Sequence, residues 1–600
     1  MTTHSSTIKT NFGATVLVLG CMMFMPRIYA QTYVSAPMTS TPAAGAYYSN
    51  SSIVLSPGFS FAASAGQSLQ LYILPPDCIP LVNNFSAAQN YIVTSVPRIG
   101  GITNASGLAN RSTCDVIQTV QYFDGLGRTL QTVQVEGSPV GKDLVQPFAY
   151  DVFGREAVKY LPYALTGSAV SDGSYKTDAL TTGAGQSFFY TSPPGGVTQI
   201  STPVAGTAFE PSPLNRVAEQ GAPGADWQLG QHTVKVIYGS NDATSLTTGS
   251  GRWARLYTVA IDASTGVRSL VDAGSTGYGV NQLYVTVSQD EKWTATQTDA
   301  RLNTTEEYKD KEGRVVLKRT YNYTTAIEVL STYYVYDDLG NLCFVLPPQA
   351  NPDAGLSSGI NQTALNNLCY QYTYDERNRM VNKQLPGKGG EEIVYNLLDQ
   401  AVYSRDANQA GRNEWGFTKY DALGRVIMTG IETSNSNSRA ALQSSVTNAL
   451  TAATMAEWET PSPGSGVQGY SNTAYPNSAS TVPLTVNYYD DYTFQGQPVA
   501  FAAPSGSSIM TRGLVTATKT AVLNTIYNTT PDMLWTAHYY DDLGRITQSY
   551  SQHYLGGLLS PYNYDLVANS YDFTNEITAS TRQHYIANAG NNAATLKVTI

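Results

Sequence analysis

At 600 residues the chain exceeds the roughly 250–300 at which one hydrophobic core stops growing, so it holds several domains or one extended array. Charged residues are only 13%, against about 25% in an average soluble protein, while Tyr alone contributes 42 residues. A net charge of −10 gives no whole-chain footprint for nucleic acid or an anionic membrane, and Tyr, Thr, Val and Ser in place of Lys and Glu favour strands over helices.

Residues 1–30 read as an export signal: Lys9 precedes an apolar run from Phe12 to Met25, too short to span a bilayer, and Ile28-Tyr29-Ala30 offers a cleavage site. Val18-Leu19-Gly20-Cys21 looks like a lipid-attachment site, but Met22-Met23-Phe24-Met25 continues the apolar run where a polar tether belongs. Secretion, or display at the cell surface, is therefore expected, with lipidation at Cys21 the alternative. The Ser/Ala/Pro-rich stretch 31–50 reads as a linker, and 51–89 as a small β segment containing the alternating Leu69-Gln70-Leu71-Tyr72-Ile73. Without Cys21, the residues Cys78, Cys114, Cys343 and Cys369 allow three connectivities; pairs 78–114 and 343–369 are the local choice, and free buried thiols are the competing reading.

The dominant signal is a repeat: aromatic, Asp, two residues, Gly, Arg. Clear copies place Asp124, Gly127 and Arg128 after Phe123, then Asp151, Gly154 and Arg155 after Tyr150. Further on, Asp421, Gly424 and Arg425 follow Tyr420, and Asp541, Gly544 and Arg545 follow Tyr540. Asp310, Gly313 and Arg314 lack the aromatic, and Tyr336, Asp337 and Gly340 end in Asn341 instead of Arg. Weaker copies begin at Tyr374, Tyr395 and Tyr571. Three residues after the Asp position stands Gly, or else Asn378, Asp399 or Asn575, the residue types that enter φ > 0 most easily. Asp at the head of a turn accepts from the backbone two residues on, so each unit predicts a hairpin tip, with its Arg bonding to neighbouring strands. Successive units then add strands to one continuous sheet.

Residues 90–306 form an N-terminal β domain that includes the first two units, 307–430 and 481–600 are repeat runs, and 431–480 is an insertion. In that insertion Leu442, Val446, Ala449, Leu450 and Ala453 have helical spacing from an N-cap at Ser438 to about Trp458, followed by a polar loop. The strand-like Leu596-Lys597-Val598-Thr599-Ile600 has no return partner, so the array is expected to be cut from a longer reading frame.

These units resemble the YD-repeat, or RHS, family of secreted bacterial proteins. The stretch 90–227, through Tyr160-Leu161-Pro162-Tyr163 and Ser212-Pro213-Leu214-Asn215-Arg216, is similar to the unknown-function domain that precedes RHS repeats. The resemblance implies a mainly β fold, an array of antiparallel hairpins curving into a cocoon-like or spiral sheet with one short helical insertion. It also implies a C-terminal core and a variable toxin, neither of which has a counterpart here. The expected partner is thus a C-terminal toxin or cargo from the same longer protein, in a polymorphic toxin system.

Acid–base catalysis by the repeated Asp and Arg is disfavoured, since a catalytic pair needs one tuned pocket, not a row of similar surroundings. The chain is therefore expected to be a non-enzymatic scaffold, although an enzyme within 156–306 is not excluded by any residue. The Tyr excess reads first as a cross-strand ladder. An adhesin or carbohydrate-binding surface using Trp253, Trp293 and Trp535 is the alternative. His4, His232, His538, His553 and His584 have no metal-ligand spacing, and Gly137 to Lys142 only faintly resembles a phosphate loop, so neither cofactor nor metal is expected.

Overall fold

The computed structural model describes residues 31–33, 45–49, 59, 69–73, 80–99 and 105–108, and all of 111–599 except 247–250, 263–265, 275–276, 495, 529, 573 and 589–590. The expected export signal, Cys21 and Cys78 lie outside the described residues. The protein is mainly β, with one antiparallel sheet of 27 strands that is not closed into a barrel. The strands add almost entirely in chain order, from Asn90–Pro97 with Val116–Phe123 to Ile577–Asn588 with Asn591–Thr599; the exception is Tyr163–Ala164, which pairs with Leu144–Ala149, so that Val204–Phe209 pairs with Val158–Tyr160. Sequential addition of this kind is what short hairpin connections dictate. One hairpin, Tyr257–Ile261 with Arg268–Asp272, stands off the main sheet.

Alternation decides which face is covered. Along Val116–Phe123 the side chains of Val116, Gln118, Val120 and Tyr122 are buried, and Trp415, Phe417 and Lys419 are buried in the strand Trp415–Tyr420. This is the period of two expected when one face packs and the other meets solvent. The packed face carries three clusters, centred on Tyr122 and Val133, on Tyr308 and Tyr333, and on Trp415, Tyr488 and Tyr539.

The covering material comes from the chain's own insertions. Phe189 and Tyr190 of the helix Gly185–Thr191 pack on the first cluster, Ala350 and Ile360 on the second, and Leu442, Val446, Tyr470 and Phe501 on the third. Buried cations fasten these segments. Lys176 Nζ lies 2.9 Å from Asp143, Arg319 Nη2 donates to the Trp253 carbonyl at 3.2 Å and Nη1 to Tyr308 at 3.0 Å, and Lys419 Nζ is 2.6 Å from Glu459.

Two expectations on the fold need correction. Two strands, Gln31–Tyr33 and Gly45–Ser49, form a parallel sheet with Leu69–Ile73 where a linker was expected, because Tyr47 and Tyr48 give that Ser/Ala/Pro-rich stretch a strand-forming centre. The inserted helix spans Arg439–Thr451, capped by Ser438 Oγ accepting from Ala441 N at 3.3 Å; it stops well before Trp458, as Ala453 takes φ 52°. Two shorter helices lie elsewhere: Ala407–Gly411 closes on a reciprocal Asp406–Gln409 capping box, and Gln362–Leu368 on an Asn361 cap.

Cys114 is disulfide-bonded, but Cys343 and Cys369 are free and buried, against the 343–369 pairing. The register Phe344↔Gln371 and Val345↔Tyr370 sets the two thiols three residues apart along adjacent strands. That is about 10 Å, beyond the ~7 Å Cα reach of a disulfide.

Candidate functional site: the turn ladder

Each repeat unit closes a hairpin in one bonding pattern. In the first, Asp124 N donates to Arg128 O at 2.9 Å and Gly127 N to Asp124 O at 3.1 Å. This is a type I turn followed by a left-handed residue, with a bulge between Tyr122 and Phe123. Asp124 Oδ1 accepts from the amides of Leu126 (2.8 Å) and Arg128 (2.9 Å), and Oδ2 accepts from Arg128 Nε at 2.7 Å. One carboxylate thus ties three donors of its own turn.

The same set recurs at Asp151 with Arg155, Asp310 with Arg314, Asp375 with Arg379, Asp421 with Arg425 and Asp541 with Arg545, the Nε–Oδ2 distances all between 2.6 and 2.8 Å. The position three after the Asp is left-handed throughout: Gly127 78°, Gly154 77°, Gly313 83°, Gly340 83°, Asn378 60°, Asp399 62°, Gly424 76°, Gly544 75° and Asn575 69°. A Cβ at Gly127 would meet nothing within 4 Å, so a substitution there is limited by backbone conformation alone. Gly127→Val is expected to cost about 1–2 kcal/mol and Gly127→Asn a small fraction of that, measured as the difference in denaturant midpoint; equal losses would show that φ does not govern the site.

The Arg does more than close its own turn. The Arg128 guanidinium stacks on the ring of Tyr150 at 4.6 Å, and Tyr150 Oη donates to the carbonyl of Thr129, the residue after Arg128, at 3.0 Å. Arg314 on Tyr336, Arg379 on Tyr395, Arg425 on Tyr489 and Arg545 on Tyr571 repeat the stacking at 5.2, 4.7, 4.3 and 4.9 Å. Tyr336 reaches Val315 O at 3.1 Å, Tyr395 Met380 O at 2.7 Å, Tyr489 Val426 O at 3.0 Å and Tyr571 Ile546 O at 2.8 Å. The repeat Tyr is therefore a clasp between consecutive hairpins. Each link combines a cation–π contact worth about 0.5–1 kcal/mol with a hydrogen bond of similar net value.

Three members of this ladder escaped the sequence reading. Asn341 cannot supply a guanidinium, and Arg268 of the stand-off hairpin fills the gap. Its Nε lies 2.9 Å from Asp337 Oδ2, its Nη1 2.6 Å from Tyr374 O, and its plane 5.3 Å from the Tyr374 ring. Glu210 to Arg216 forms an enlarged turn: Glu210 N donates to Arg216 O at 2.9 Å, Arg155 stacks on Phe209 at 4.3 Å, and Arg216 stacks on Tyr238 at 4.0 Å. Asp490, following Tyr489, donates from N to Leu514 O at 3.2 Å, so residues 491–513 are an excursion inside a turn that still accepts both Arg425 nitrogens at 2.8 and 2.6 Å. The aromatic–acid pairs Phe209-Glu210 and Tyr489-Asp490 were the available signal; their displaced Arg and Gly hid them.

The turn carboxyls give the array its acid response. Hydrogen bonds from the Arg128 and Arg155 amides, together with their side chains, hold Asp124 and Asp151 below the ordinary 3.8. Burial opposes the same effect at Asp375 and Asp541 but is outweighed by Arg379 and Arg545. A depressed folded value means that the stabilisation is complete above 3.8 and is lost as pH falls through the folded values. Thermal midpoints are expected to be flat from pH 7 to about 5 and to drop steeply below about 4; a flat profile to about pH 2.5 would contradict the role of these carboxyls.

Of the aromatic surface candidates, Trp253 and Trp293 are half-buried, whereas Trp535 is only 5% exposed. It packs against Tyr488 at 5.5 Å and under Lys519 at 4.3 Å, so it is core, not platform. His232, His538, His553 and His584 lie apart except for His553 and His584, which stack at 4.7 Å. Among the described residues no group of three or more His, Cys, Asp or Glu is placed to hold a metal. Gly137 to Lys142 is a hairpin turn, with Ser138 N donating to Lys142 O at 2.9 Å.

Residues 97–240 match a domain family described only as a domain of unknown function, DUF6443, which overlies most of the 90–227 stretch singled out above. No curated protein matches the chain. Solved structures that share part of its course include TcdB2-TccC3-Cdc42, at 11% identity, TM-score 0.40, over 80% of this chain and 19% of that one. TcdB2-TccC3 without its hypervariable C-terminal region gives 12% identity, TM-score 0.39, over 78% and 18%. The Photorhabdus luminescens Tc holotoxin pore carrying TccC3-D651A gives 12%, TM-score 0.35, over 81% and 22%. The chain thus spans about a fifth of the length of these structures.

Proposed function

We propose that this chain is a non-enzymatic structural scaffold of RHS/YD-repeat type, a stretch of β-sheet shell that encloses or presents a C-terminal toxin or other cargo carried by a longer protein. Export through residues 1–30 is part of this reading. The observation that carries it is the turn ladder, in which left-handed turns closed by Asp or Asn and aromatic clasps recur from Asp124 to Asp572, with Phe209, Arg268 and Gln400 standing in at single positions. The DUF6443 match is in keeping with it, since the notable turns at Asp124, Asp151 and Glu210 all fall within residues 97–240.

Stability in such an array is the sum of many weak neighbour contacts, so it resists cleavage as a block. Limited proteolysis of the purified chain is expected to leave a large resistant core that spans the repeat hairpins, readable by mass spectrometry. Rapid breakdown to small peptides under native conditions would sink the scaffold reading.

A further inference from the structure

The sheet opens on an unguarded edge. The strand Asn90–Pro97 pairs along its whole length with Val116–Phe123 and without a bulge, and among the described residues no strand pairs with its other side. Arg98 N donates to Asp115 O at 2.7 Å, so alternation along the strand turns the N–H and C=O groups of Tyr91, Val93 and Ser95 away from the sheet. Native edges of this kind are normally blunted by Lys, by an inward-pointing charge, by a bulge or by Pro. The sequence Asn-Tyr-Ile-Val-Thr-Ser-Val-Pro carries no charge, and its one Pro stands at the very end. The side it shows to solvent is apolar: Ile92 and Val96 are 57% and 52% exposed, and the exposed Ile117, directly opposite Val96 on the neighbouring strand, adds to them. Exposed apolar side chains that run up to an unpaired strand edge mark a surface fit for another strand.

The edge is also self-complementary. When a second copy is turned about Thr94, Ile92 of each chain faces Val96 of the other on the exposed side, Thr94 faces Thr94, and no like charges meet. In that register Val93 and Ser95 exchange their outward hydrogen bonds with Ser95 and Val93 of the second copy. Tyr91 N donates to Pro97 O, at a place where Pro needs only its carbonyl. Centring the pair on Val93 or on Ser95 would instead set Ile92 or Val96 against Thr94 and lose the apolar match. From this arrangement we infer that Asn90–Pro97 is a homodimer interface, two copies pairing antiparallel about Thr94 so that one sheet runs on into the next. The interface goes beyond the scaffold reading and does not depend on what the sheet encloses.

Sedimentation of the purified full chain over about 1–100 µM tests the pairing. A single-strand seam lies at the low end of specific interfaces, below ~1,200 Å² of buried surface, so the monomer–dimer midpoint is expected at about 10 µM. Thr94→Lys and Thr94→Glu each place like charges face to face across the seam. Because Thr94 is exposed, either variant should keep the circular dichroism and thermal midpoint of the parent, yet associate at least about tenfold more weakly. An equimolar mixture of the two should associate again, since Lys then meets Glu, and that recovery places Thr94 opposite Thr94. A parent that stays monomeric at about 100 µM, single variants that associate as the parent does, or a mixture no better than its components would each overturn the proposal.

Discussion

Lys419→Met is expected to lower stability by about 3–5 kcal/mol, because it strands a carboxylate from which water is excluded. Lys419 and Glu459 have side chains 2% and 0% exposed and lie 2.6 Å apart. Glu459 also accepts from Ser471 Oγ at 2.6 Å, Thr473 N at 2.8 Å and Ala474 N at 3.0 Å, so it organises the polar loop that covers the third cluster. Burial raises its carboxyl, but Lys419, Ser471 and Thr473 together outweigh this and hold it below 4.5. The pair's contribution is therefore complete above that value and fades as pH falls below it, and the gap between parent and variant should narrow in acid. The double variant Lys419→Met, Glu459→Met is expected to recover most of the loss, since replacing both ions avoids the stranded charge. Hydrogen exchange across residues 455–475 and the thermal midpoint read the effect. A single variant as stable as the parent, or a double variant no better than the single, would remove the pair from its fastening role.

Trp415→Ala should cost a similar ~3–5 kcal/mol, for a different reason. Trp415 is fully buried, sits 6.0 Å edge-on from Tyr403, and lies 4.1 Å under the Arg405 guanidinium. Its indole Nε1 has no hydrogen-bond partner among the described residues, so the whole of its value is packing. Trp415→Phe keeps most of that packing and leaves no polar atom unsatisfied, and is expected to cost well under half as much as the Ala variant. Equal losses for Phe and Ala, in denaturant melts of the same preparation, would mean that Nε1 has a partner after all.

Much of this architecture is legible in the sequence alone. A Gly, Asn or Asp at a fixed distance from an Asp declares a backbone needing φ > 0, and Gly127, Asn378, Asp399 and Asn575 all adopt it. Ser438 and the spacing of Leu442, Val446 and Leu450 marked the helix, because capping and burial are local. What was not legible depends on partners distant in sequence. Arg268 reaches Asp337 across 69 positions, a relation that leaves no periodic trace. The Tyr residues stood in phase with the turns, yet that each would hold the carbonyl after the preceding Arg depends on the register between hairpins, which composition does not encode. Cys343 and Cys369 look close along the chain, but strand pairing fixes them three rungs apart.

The excursion at 491–513 shows that both anchoring contacts of a hairpin survive when its tip is opened and extra chain is let in. Tips of this kind are natural splice ports: the load on the lattice passes through the strand ends and the bond from the next Tyr to the carbonyl beyond the turn, here Tyr540 to Val515 O at 2.6 Å, not through the residues between them. Foreign peptides of comparable length, set between Asp421 and Arg425 or between Asp541 and Arg545, would thus stand along one rim on either side of that excursion, four strand widths or about 19 Å apart.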